Sequence, residues 1–227
     1  DKQNSRYADR MLDVDGERQI YFSFPVSPKN VVLNCENVNN AMDSDFTVHV
    51  EETPLKTYNV WLDEETQEFL QFAIMFCQTC GFVTPSAQGD LKESKYGNFK
   101  INYFNVITQD GRPLSTPARV GHKTKVIEVS KAAFDRYTVA QRLAILLHEF
   151  SHVFKNPKIG LQISNEVGAD LNALYIYLGT GWSKIDAITV FCQVFFKAQT
   201  PQNIDRIRKI QSYIYKFENQ EFAKRLN

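Results

Sequence analysis

The stretch from Thr138 to His152 constrains the fold more than any other part of this chain. Thr138-Val139-Ala140-Gln141 is a capping-box pattern, in which the Thr hydroxyl bonds the third helical N–H and the Gln reaches back to the Thr amide. Asn156-Pro157 then stops the run. The spacing predicts a helix over about 139–154. Ala140, Leu143, Ala144, Ile145, Leu146 and Leu147 make it apolar on nearly every side, and a helix that is hydrophobic all round is buried. Yet the same helix ends in His148-Glu149-Phe150-Ser151-His152. Residues four apart share a helical face, so the two imidazoles stand one above the other with a carboxylate beside the first. Burying such groups without partners is costly. A metal ion shared by the two rings removes that cost.

His-Glu-x-x-His on a helix is the pattern for zinc: His148 and His152 as ligands, and Glu149 beside the open side of the metal as general base. A catalytic zinc needs three protein ligands and one open position. No Cys follows the motif closely, and the other histidines, His49 and His122, both precede it. This argues against the extended motif with a third His shortly after the second. Downstream carboxylates are the natural candidates. Glu166 opens a helix fourteen residues after His152, and Asp170 follows on the same face. One can bind the metal while the other accepts a hydrogen bond from a ligand imidazole and sets its tautomer. Gly168 and Ala169 are small enough for two helices to approach closely.

With these residues the chain resembles the gluzincin zinc metallopeptidases. Asn165-Glu166-x-x-x-Asp170 is similar to the Asn-Glu-x-x-x-Asp element of the thermolysin-like members. The resemblance implies zinc ligands His148, His152 and Glu166, Glu149 as general base, and Asp170 behind a ligand His, namely His148. It spans roughly residues 99–180, and the short gap suits compact members. It implies a zincin-like α+β fold: a small antiparallel or mixed sheet packed on a helical bundle, with the motif helix buried. A peptide or protein substrate would add as a strand to the sheet edge supplied by residues 114–129. The chain departs from the family in having no His after His152 to steady the oxyanion. Tyr175, Tyr177, Tyr213 and Tyr215 lie downstream, and the sequence does not choose among them.

The remaining elements frame this centre. Asp63, Glu64 and Glu65 start a helix of about four turns that carries Phe69, Leu70, Phe72 and Phe76 and stops near Gly81. Residues 84–98 carry loop chemistry throughout. Residues 99–108 alternate as a strand, Asp110-Gly111 turns, and residues 119–129 form the returning strand. Ser164 or Asn165 opens a third helix closed by Gly179 and Gly181, Ser183 a fourth, and Thr200-Pro201 a fifth that runs to about 218.

Residues 1–17 read as a mobile terminus, and residues 1–60 as an extended, β-rich N-terminal arm ahead of a 61–227 metallopeptidase domain. Strand-like runs lie at 19–24, 31–33, 46–50 and 58–61. Such an arm suits a protein partner. It motivates a second reading: a structural or assembly protein, of a virion or another large complex, built on the same domain. A third is a regulatory protease of the antirepressor-cleaving type.

Basic and acidic residues balance at 26 each, which gives no electrostatic footprint for nucleic acid. No apolar run approaches the roughly 18–20 residues of a membrane span. Four cysteines, including Cys77-Gln-Thr-Cys80 in an apolar helix, read as ordinary thiols. They favour a reducing compartment, so the expectation is a soluble protein, cytoplasmic or held in a larger assembly.

Overall fold

Asp63 opens the first helix, α1 (Glu64–Thr79), by accepting the Thr66 N–H on its side chain at 2.8 Å. The computed structural model describes residues 5–14, 16–26, 30–37, 45–52, 60–154, 165–195 and 198–219. α1 buries Phe69, Leu70, Phe72, Ala73, Phe76 and Cys77 and tightens into a 3-10 turn over Cys80–Phe82. Cys77 and Cys80 are buried free thiols, and burial raises the pKa of both.

Six strands follow: β1 (Asp90–Glu93), β2 (Lys100–Phe104), β3 (Thr108–Gln109), β4 (Arg112–Pro113), β5 (Ala118–Val120) and β6 (Val126–Ser130). β3 and β4 form a small ribbon around Asp110-Gly111, both at positive φ, the conformation that a two-residue hairpin demands. The other four make a mixed sheet in the order β1-β2-β6-β5. Ile101 and Tyr103 lie opposite Ile127 and Val129 on its buried face.

Two expectations about this region need correcting. The segment 84–98 is not loop throughout, because β1 lies within it and pairs antiparallel with β2. β1 is a half-exposed edge strand with Leu91 facing out, so it lacks the apolar alternation that would reveal it. The returning segment also splits. β5 doubles back onto β6 through a tight turn, and β6 therefore runs parallel to β2. Side-chain alternation has the same period in either direction and does not encode it.

Helices α2 (Lys131–Phe134), α3 (Val139–Val153), α4 (Asn165–Gly179), α5 (Lys184–Val190) and α6 (Pro201–Glu218) complete the chain, with one π-helical turn at Phe191–Phe195. The expected helices are all present where the residues are described; Asn156, Pro157, Gly160 and Ser164 lie outside them. α3 is central. It packs on α4, α5, α1 and β5, and its inner face joins an aromatic cluster in which Phe150 stacks on Phe69 at 4.2 Å and on Phe154 at 4.9 Å. The architecture is mixed α+β, and among the described residues no helix is long and apolar enough to cross a membrane.

The N-terminal expectations change most. Residues 5–14 are docked. Ser5 donates to Gln78 O at 2.9 Å, Arg6 O accepts the Val139 N–H at 2.8 Å, and Arg10 makes a two-pronged pair with buried Asp186 at 2.6 and 2.9 Å. Polar composition suggested a free tail, but these charges have partners on the helical domain. The described parts of 18–61 have no regular secondary structure and none of them joins a strand ladder; the arm's β content is not borne out there. Pro28, Pro54, Tyr58 and Asn59 lie outside the described residues.

Candidate metal centre

The motif helix is fixed at both ends. At its start the Thr138 hydroxyl accepts the Gln141 N–H at 3.2 Å, and the Gln141 side chain accepts the Thr138 N–H at 3.1 Å. The Arg6 carbonyl takes the Val139 N–H. These bonds satisfy donors that a helix start otherwise leaves open in a buried place. At its end Asn172 of α4 donates to Ser151 Oγ at 3.0 Å and to the Phe154 carbonyl at 2.9 Å. That second link sets α4 beside α3, and Ala169 of α4 is fully buried.

This register brings Glu166 opposite the two histidines. His148 Nε2 and His152 Nε2 are 3.1 Å apart, and Glu166 places Oε2 3.8 Å from the first and Oε1 3.8 Å from the second. Among the described residues these three form a group that can hold a metal, with donor atoms within 4.8 Å of one another. His148 is 2% exposed, whereas the Glu166 side chain is 54% exposed, so the group faces solvent from its carboxylate side.

Asp170, one turn after Glu166, is buried and sits 3.0 Å from His148 Nδ1. A carboxylate this close to Nδ1 favours the tautomer with the proton there, which turns the Nε2 lone pair to the group. Behind it stands Arg206 of α6, with Nε 2.8 Å from Asp170 Oδ2 and a terminal nitrogen 2.9 Å from Oδ1 and 3.1 Å from Glu166 Oε2. Arg206 was missed in the sequence. It lies in the charged run Asp205-Arg206-Ile207-Arg208-Lys209, where nothing distinguishes it from its neighbours.

Glu149 is buried beside the group. Burial pushes its carboxyl up to about 7; the neighbouring His148 and a hydrogen bond from the Val120 N–H pull the other way, while Glu166 adds to the rise. Val120 belongs to β5, so the general-base candidate touches an edge of the sheet. This is the edge expected from residues 114–129. His152 is pushed down to about 4, first by burial and then by His148. His122, on the turn between β5 and β6, lies close to His152 with ring centroids 6.1 Å apart. Its upstream position in the sequence gave no sign of this. His49 lies in the exposed segment 45–52.

No family model matches the chain, and no curated protein or solved structure matches it.

Proposed function

We propose that the protein is a zinc-dependent endopeptidase with a compact gluzincin-like site, in which His148, His152 and Glu166 hold the metal and Glu149 is the general base. The observation that carries this reading is the convergence of His148, His152 and Glu166, with Asp170 behind His148. Zinc suits a donor set of two imidazoles and a carboxylate, and the three ligand atoms lie within 4.8 Å of one another.

His148, His152 and Glu166 would hold a zinc ion, which when bound would supply polarisation of a carbonyl and a water of lowered pKa, about 7. Glu149, buried beside the group, would accept the proton of the attacking water and deliver it to the leaving amine. Asp170 and Arg206 keep the His148 ring in one tautomer and one orientation. The β5 edge beside Glu149 offers main-chain pairing to an extended peptide, a point that rests on analogy between folds.

The test is zinc content together with cleavage of unfolded casein by wild type and Glu149→Gln. The expected result is zinc in both proteins and a 10²–10⁴-fold lower rate in the variant, roughly the worth of a positioned general base. A zinc-free wild type sinks the ligand assignment.

The second reading, a structural or assembly protein with little activity, is favoured by the apolar side chains that the arm leaves in solvent. Val31, Val32, Phe46 and Val50 are all exposed, Val50 by 77%. Zinc binding with equal inertness in wild type and Glu149→Gln would support it.

A further inference from the structure

Attack on a peptide carbonyl leaves negative charge on its oxygen. A preorganised N–H or O–H donor aimed at that oxygen is worth about 10²–10³ in rate. The downstream tyrosines are engaged elsewhere or turned away. The Tyr175 hydroxyl accepts the Trp61 N–H at 3.0 Å and donates to Trp61 O at 3.3 Å. Tyr177 is buried and stacks on Trp182, Tyr213 is buried next to Phe217, and Tyr215 faces solvent on α6.

His122 is placed differently. Its ring meets that of His152 edge-on, at 77° between planes, and it is exposed. It stands outside the ligand group formed by His148, His152 and Glu166. Two residues before it, Val120 of β5, a strand packed on α3, lies close enough to Glu149 to lower its pKa. The end of β5 and the turn after it therefore lie beside the general base and a ligand imidazole.

That turn is held firmly. The Gly121 N–H donates to Val126 O at 3.0 Å, the Lys125 N–H to Gly121 O at 2.7 Å, and the Val126 N–H to the Thr124 hydroxyl at 3.3 Å. A Cβ at Gly121 would collide with that hydroxyl. The Lys125 ammonium lies over the Phe154 ring at 5.3 Å, just past the end of α3, which ties the turn to the motif helix.

Resting on the hydrolase reading, we propose that His122 donates a ring N–H to the carbonyl oxygen of the scissile peptide and so stabilises the charge that gathers there during attack. Only a hydrogen bond is made; no proton or electron pair is transferred at His122. The donor comes from the sheet, upstream of the motif helix.

The zinc-loaded full chain is compared with His122→Ala, His122→Gln and Glu149→Gln on the best-cleaved member of a quenched fluorogenic peptide library, with zinc content measured alongside. His122→Ala is expected to lower kcat about 100-fold, with KM and zinc content kept. His122→Gln, whose amide retains an N–H, recovers part of the loss. Loss of zinc in His122→Ala would make His122 a ligand, and an unchanged kcat would make it a bystander; either result overturns the assignment. A zinc-loaded wild type no more active than Glu149→Gln overturns the hydrolase reading itself, and with it the role of His122, and this is visible without any His122 variant.

Discussion

Glu149 and His152 are neighbours on one helix, yet burial moves them in opposite directions. The Glu149 carboxyl rises from 4.5 to about 7, and the His152 imidazole falls from 6.5 to about 4. Both shifts disfavour charge in a poorly solvated place. In metal-free protein each becomes a stability term. A raised carboxyl leaves stability intact below pH 4.5 and erodes it as pH climbs through about 7. A lowered imidazole leaves stability intact above pH 6.5 and erodes it as pH falls through about 4. A displacement of this size is worth about 3 kcal/mol for buried Glu149 and less for the more solvated His152. Between pH 4.5 and 6.5 the two oppose each other. The chelated wild type should therefore be nearly flat in stability across that window, while chelated Glu149→Gln, left with the histidine term, should gain stability as pH rises. Urea titrations in EDTA at several pH values decide it: parallel profiles for the two proteins would show that Glu149 is not held neutral by burial.

At the scale of elements, α3 depends on segments far away in sequence. Its start is finished by a carbonyl from residue 6, its end by Asn172 of α4, and its flank is packed by α5. The N-terminal segment is anchored to α5 by Arg10 and Asp186, whose side chains are 10% and 3% exposed. Removing one partner of such a pair leaves a buried charge uncompensated, which typically costs 3–5 kcal/mol. Arg10→Ala should thus lower the unfolding free energy by about 3 kcal/mol, read as a shift in denaturant midpoint. A change below about 0.5 kcal/mol, the range of an ordinary surface substitution, would show that residues 5–14 are loosely attached. The capping box was legible because its partners are three residues apart. The Arg6 bond was not, because a main-chain carbonyl carries no sequence signature.

At the scale of the whole molecule, the helical and sheet core is accompanied by an arm whose described residues 16–21, 30–37 and 45–52 have no regular secondary structure and exposed side chains. Exposed extended chain is the preferred substrate of a probing protease. Brief chymotrypsin treatment should cut first after Tyr21 or Phe46, both exposed, and leave the sites in α1, α3 and α4 intact. Mass spectrometry of the early fragments checks this, and first cuts inside the helical domain would mean that the arm is covered. The sequence by itself determined the motif helix, its cap and the turn at Asp110-Gly111, and it marked His148, Glu149 and His152 on one helix and Glu166 and Asp170 on the next as candidates, because each of these groupings rests on residues a few positions apart or on one helical period. Tertiary structure alone decided the parallel pairing of β2 with β6, the docking of the first residues, the placing of Arg206 behind Asp170 and the approach of His122 to His152. Those features join segments tens of residues or more apart. Local spacing carries no information about which distant surfaces meet, and burial of the shared core brings them together.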